Sequence, residues 1–200
     1  KGFVEAAFFE YHIYDLQRPT TIKDKQTKQI SLLSAEGVKV KKELLARGEA
    51  GYYRGQYTHG EPMKMPIHVR MKFKNSEENK LGMPLPAGTV RLYKEDNTGS
   101  LQFAGEDRID HTPKDEEISL KIGEAFDVVG ERRQTDYQRL GQNLTETAWE
   151  ISLRNHKEEP ATVVLLEPVG GDWQVIQNSH PYTKADAFTM RYEISVPKDG

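Results

Sequence analysis

The stretch Ile67-His68-Val69-Arg70-Met71-Lys72-Phe73 decides the fold. Ile67, Val69, Met71 and Phe73 fall on one side of an extended chain, and His68, Arg70 and Lys72 on the other. Successive side chains of a strand point to opposite faces, so this period of two describes a strand with one dry and one wet face. Working outward, the same rhythm recurs at Thr162–Leu166, Trp173–Ile176 and Met190–Val196, with Gly, Pro, Asn and Asp between the runs. The expected class is all-β: an antiparallel β-sandwich or sandwiches, immunoglobulin- or fibronectin-like, with an N-terminal β-rich segment.

Strand candidates fill most of the chain. In the N-terminal part they are Tyr11–Leu16, Gln29–Leu33 and Val38–Leu45, followed by a Gly-, Pro- and Tyr-rich rim or long loop over Gly48–Pro66. Next come Ile67–Lys74, Gly88–Tyr93, Leu101–Ile109, Glu117–Ile122 and Phe126–Arg133. The last group is Thr147–Arg154, Ala161–Pro168, Asp172–Gln177 and Phe188–Val196, with hairpin loops at 155–160 and 170–171. This gives three segments: 1–66, a β-rich segment packing on the sandwiches; 67–134, a first sandwich unit; and 135–200, a second, immunoglobulin-like unit. Pro197-Lys198-Asp199-Gly200 is a turn signal, so the second unit is expected to lack its last strand. The chain opens on Lys1, and a removed leader is expected before it.

Composition narrows the function classes. The 200 residues are 36% hydrophobic and 30% charged, with a net charge of −3. That balance argues against nucleic acid, whose binding needs a basic stripe. No apolar run approaches the roughly 20 residues of a membrane-spanning helix. The chain has no cysteine, which removes disulfides and thiolate chemistry. No serine sits in a Gly-x-Ser-x-Gly elbow, and Gly82, Gly88 and Gly99 form no phosphate cradle. The adjacent pairs Glu116/Glu117 and Glu158/Glu159 alternate faces and cannot flank one glycosidic bond. No catalytic residue is assigned.

Two clusters still carry candidate chemistry. Asp107, Asp110, His111 and Asp115 lie within nine positions. Carboxylates with an imidazole on a loop could hold a divalent cation, and hard oxygen ligands favour calcium; no other cofactor is expected. The competing reading is a solvated turn in which Asp110 caps its neighbours and Asp107 pairs with Arg108. Tyr52, Tyr53 and Tyr57, with His59, lie in the glycine-rich rim and could stack on the sugar rings of a polysaccharide. The competing reading there is rim packing, and Trp149 and Trp173 are expected in strands as core residues.

Four strings resemble a known family. They are RPTTIKDKQTKQISLLSA (18–35), LPAGTVRLYKED (85–96), GSLQFAGEDRIDHTPKDEEISLKIGEAFDVVGERRQTD (99–136) and WEISLRNHKEEPATVVLLEP (149–168). The chain from Phe9 to Gly200 resembles the C-terminal domain of an exported bacterial family of unassigned function, related to the mucoidy-inhibitor A-like proteins. The resemblance implies an all-β region and a periplasmic, outer-surface or extracellular location. It also implies a preceding N-terminal portion and a further strand after Gly200, and it transfers no catalytic residues. The resulting expectation is a non-enzymatic envelope module acting through protein–protein contact, with self-assembly into an oligomer or filament by strand addition. A carbohydrate-binding module and a metal-assisted hydrolase using Asp107, Asp110 and His111 stand as the alternatives.

Overall fold

The computed structural model describes residues 3–16, 19–57 and 60–200. Thirteen strands are present among them: β1 (Phe3–Phe8), β2 (Tyr11–Leu16), β3 (Lys41–Arg47), β4 (Met63–Met65), β5 (Ile67–Lys74), β6 (Gly88–Glu95), β7 (Leu101–Ile109), β8 (Glu117–Glu124), β9 (Val128–Arg139), β10 (Thr145–Asn155), β11 (Ala161–Pro168), β12 (Thr183–Asp186) and β13 (Thr189–Val196). The only helical pieces among the described residues are single 3₁₀ turns at Ala50–Tyr53 and Glu77–Asn79. The fold is therefore all-β and sandwich-like, built mainly from antiparallel sheets and without a barrel. No described helix is long and apolar enough to cross a membrane.

Two compact units divide the chain, and they interleave along it. One takes the described residues within 1–41, 72–92 and 106–120. It contains the β1–β2 hairpin, in antiparallel register from Phe3↔Leu16 to Phe8↔Tyr11. Its loops are organised by two buried asparagines. Asn75 donates through Nδ2 to the carbonyls of Met83 (2.8 Å) and Pro113 (2.9 Å), and its Oδ1 accepts from the Gly82 amide. Asn79 accepts from the Lys39 amide at 2.7 Å and donates to the Lys39 and Lys74 carbonyls. Buried amides of this kind are stabilising only when every polar atom is matched, as here.

The other unit takes the described residues within 42–71, 93–105 and 121–200, and it is the sandwich. One sheet runs in the order β12-β13-β11-β3-β5-β8 and a second in the order β10-β9-β4. Leu44, Ala46, Met65, Ile67, Val128, Ala161, Val163 and Leu165 form the shared core, with Ile151, Leu153 and Val69 packed against it. Each Val, Leu, Ile or Met side chain among them contributes about 1.5–3 kcal/mol by leaving water. The sandwich draws on all three segments distinguished in the sequence.

Four expectations need correction. Gln29–Leu33 and Asp172–Gln177 are not strands. Alternation marks a face but supplies no edge to pair with. Ile30, Leu33 and Ile176 stay exposed, and the Trp173 ring is held instead by an Nε1 bond to the Ala187 carbonyl (3.1 Å) and by Lys184 Nζ, 4.5 Å above it. The strand expected at Val38–Leu45 begins three residues later, because Val40 is exposed and the buried run is Leu44-Leu45-Ala46. It is an interior strand covered on both faces, so its buried residues are consecutive. It is also parallel to β11, through Val163↔Leu44 to Leu166↔Arg47, whereas the sequence suggested antiparallel pairing throughout. Parallel neighbours need a long connection, and more than a hundred residues separate these two.

Candidate functional site

The densest chemistry lies inside the sandwich, on polar residues of β9 and β11. On β9 the inward positions are Val128, Gly130, Arg132 and Gln134. Arg132 reaches from this sheet to Glu167 on β11 of the other sheet, with Nη1 at 3.2 Å from both carboxylate oxygens and Nη2 at 3.2 Å from Oε2. Both side chains are 1% exposed. The Tyr53 hydroxyl donates to Glu167 Oε2 at 2.6 Å. Burial, followed by the Glu167 charge and this bond, pushes the Tyr53 phenol well above its ordinary value and keeps it protonated.

An aromatic cage closes over the guanidinium. Its carbon lies 4.0 Å from the Tyr52 ring centroid and 4.5 Å from that of Trp149, on β10. Such cation–π contacts are strongest when water is excluded. Tyr57 adds a ring 5.4 Å from Trp149 and 5.5 Å from Tyr52. The loop that brings these tyrosines is pinned by Gln134, whose Oε1 accepts from the Tyr57 amide at 2.8 Å and whose Nε2 donates to the Gly55 carbonyl and Thr147 Oγ1. Gly48 starts the loop and donates its amide to the Leu166 carbonyl. A Cβ there would stand 2.6 Å from the Glu167 oxygens, so the glycine is what permits the approach.

Chemically the arrangement is a tie between two sheets and a loop. The Glu167 carboxylate is engaged by Arg132 and Tyr53 and is closed to solvent, so its charge is used inside the fold. Tyr52, Tyr53 and Tyr57 do converge, as the sugar-platform reading required. Their rings, however, meet Trp149 and one another at 51–67°, edge-on or tilted, not as the coplanar faces on which sugar rings stack. His59, the fourth residue of that reading, lies outside the described residues.

The acidic cluster is spread out. Asp107 Oδ1 accepts from the Arg108 amide at 2.8 Å, and the Asp110 carbonyl accepts from Thr112 Oγ1. His111 Nδ1 accepts a long bond, 3.4 Å, from the Ala87 amide. Asp115 adopts a left-handed φ of 67°, its amide donates to the Asn75 carbonyl, and its carboxylate lies 4.0 Å from Lys74. Among the described residues no three His, Asp or Glu side chains come together as a metal site. What the structure brings together is Arg132, Gln134 and Glu167, which no motif marks. Two long polar side chains at alternate positions of one strand, 132 and 134, were the only available signal. No family model, no curated protein and no solved structure matches the chain.

Proposed function

We propose that this chain is a non-enzymatic contact module of a bacterial cell envelope that acts by adding a strand to an exposed sheet edge, with a second copy as its partner. The observation that carries the reading is the 11-residue strand β10 at the end of the β10-β9-β4 sheet. Among the described residues no strand pairs with its outer side. An edge of this length presents a row of backbone donors and acceptors that a partner strand can complete. A bulge at Ala148/Trp149 interrupts it, and the regular stretch is Trp149–Arg154. The edge beside β13 offers less: β12 covers Thr189–Arg191, and the Tyr182 ring stands 5.8 Å from Tyr192. The envelope location and the kinship with mucoidy-inhibitor A-like proteins rest on the sequence strings alone.

Sedimentation across a wide concentration range, with amide hydrogen exchange at both extremes, tests this. The expected result is concentration-dependent size with slowed exchange confined to alternate amides of Trp149–Arg154. A monomer at every concentration, or association that leaves those amides unchanged, removes the reading.

A further inference from the structure

The open side of β10 is defined by the bonds at its end. The Asn155 amide donates to the Gly200 carbonyl at 2.7 Å, and the next amide, of His156, donates to the carbonyl of Asp127, just before β9. Successive residues of a strand aim their backbone groups to opposite sides. The amides and carbonyls of Ile151 and Leu153 therefore point to the open side, as the Asn155 amide does, and those of Glu150, Ser152 and Arg154 point to β9. Side chains divide by face instead. Ile151 and Leu153 pack against the core, whereas the Glu150 and Arg154 side chains lie on the wet face, 54% and 42% exposed.

The stretch Glu150-Ile151-Ser152-Leu153-Arg154 is complementary to itself. Two copies set antiparallel about a two-fold axis at Ser152 place Glu150 opposite the partner's Arg154 and Ile151 opposite the partner's Leu153. Directly opposed pairs are favourable when apolar or oppositely charged and unfavourable when alike in charge. No other register does as well. A slip of two residues parts Glu150 from the partner's Arg154, and a slip of four sets like charge against like. A slip of one exchanges the dry and wet faces. The register also extends bonds already present, since Arg133 holds Glu150 at 2.8 Å and Arg154 holds Glu131 at 2.7 Å. Across four strands the order becomes Arg133, Glu150, the partner's Arg154 and the partner's Glu131, alternating in sign. These charges are exposed, so they select register more than they add affinity.

Resting on strand addition at this edge, we infer that the added strand is β10 of the second copy, antiparallel about a two-fold axis at Ser152. Ile151 and the partner's Leu153 exchange backbone hydrogen bonds, and Glu150 meets the partner's Arg154. A two-fold interface uses one patch twice, so each contact occurs twice. Charge reversal with mixing tests this. Glu150→Lys alone and Arg154→Glu alone each set two like-charged pairs across the axis, and each is expected to weaken association by about ten-fold or more. An equimolar mixture of the two variants re-creates both opposite pairs and is expected to regain the parent's association in sedimentation. Mixing cannot rescue a variant that merely misfolds. Ser152→Cys, in a chain with no other cysteine, is expected to form a disulfide dimer on mild oxidation, because such opposed residues stand about 4.5 Å apart. Glu150→Cys is expected not to, since its two copies lie four positions, about 13 Å, out of register. A parent that associates while the mixture gains nothing, or equal cross-linking at both cysteines, would overturn this register and leave strand addition standing. A parent that stays monomeric removes both.

Discussion

Arg132 and Arg133 are neighbours on β9, each paired with a glutamate, yet they lie on opposite faces of one sheet and have opposite meanings. Arg132 and its partner Glu167 are both 1% exposed, whereas Arg133 and Glu150 are 46% and 54% exposed. The outer pair is the shorter, at 2.8 Å against 3.2 Å. Distance is therefore a poor guide to consequence. On the wet face water competes for both charges, and such pairs contribute about 0–1 kcal/mol. Inside, neither charge can return to water, and the pair is held by the cost of separating it. The inner arginine ties two sheets and a loop together; the outer one decorates a surface.

The sharpest way to break that contrast is Glu167→Ala. It leaves a buried guanidinium without its carboxylate and the Tyr53 hydroxyl without its acceptor. A loss of about 3–5 kcal/mol is expected, which at roughly 2–4 °C per kcal/mol lowers the unfolding midpoint by about 6–20 °C in calorimetry. Glu150→Ala, on the other face, is expected to move it by no more than a few degrees. Replacing both inner partners, Arg132→Met with Glu167→Leu, should recover most of the loss, since the penalty belongs to the stranded charge. Equal losses for Glu167→Ala and Glu150→Ala would mean that burial does not distinguish the two faces.

The same contrast explains what could be read in the sequence. Alternation located Ile67–Lys74 to the residue and placed β7, β8, β10, β11 and β13 within two residues at either end; on β13 the reason is plain, since Met190, Tyr192, Ile194 and Val196 alternate with Arg191, Glu193 and Ser195. On β9 the rule inverts after Gly130: Arg132 and Gln134 point inward, and nothing in a residue's identity says that its partner waits on a strand 35 positions away. Phe126, which looked like the start of that strand, is 93% exposed. The tyrosine rim was legible as a cluster of rings, but not what the rings enclose. The acidic stretch looked like a ligand set because proximity in sequence was visible, whereas the directions of its side chains, set by the Asn75-centred loops, were not.

A smaller perturbation reaches the same tie from the loop. Gly48→Ala places a methyl group 2.6 Å from the Glu167 oxygens and 2.7 Å from Arg132 Nη1. These atoms are the ends of side chains, but each is fixed by the other, so the pair must shift as a unit. The expected cost is about 1–3 kcal/mol, as for other overpacked sites. The Tyr53 bond to Glu167 should loosen with it, so protection of the 50–57 amides against hydrogen exchange should fall more than that of β11. A neutral Gly48→Ala would show that the ion pair has room to move.

The smallest effect lies back on the wet face, at Glu131 and Arg154, where two hydrogen bonds of 2.7 and 3.0 Å join β9 to β10. Bonding to Arg154 holds the Glu131 carboxyl below its ordinary value of 4.5. A carboxyl whose folded value is depressed stabilises the fold above its unfolded value and loses that contribution as pH falls through the folded one. Glu131→Gln should therefore lower the unfolding midpoint slightly at neutral pH and converge with the parent protein as pH drops below 4.5. Added salt should shrink the gap at neutral pH, because exposed charges are screened over a Debye length of about 8–10 Å. The Arg132–Glu167 tie, shut away from ions, should show no comparable salt dependence. A Glu131→Gln difference that persists in acid or in high salt would mean that this pair is not solvated, and the distinction between the two faces of β9 would have to be drawn on packing instead of charge.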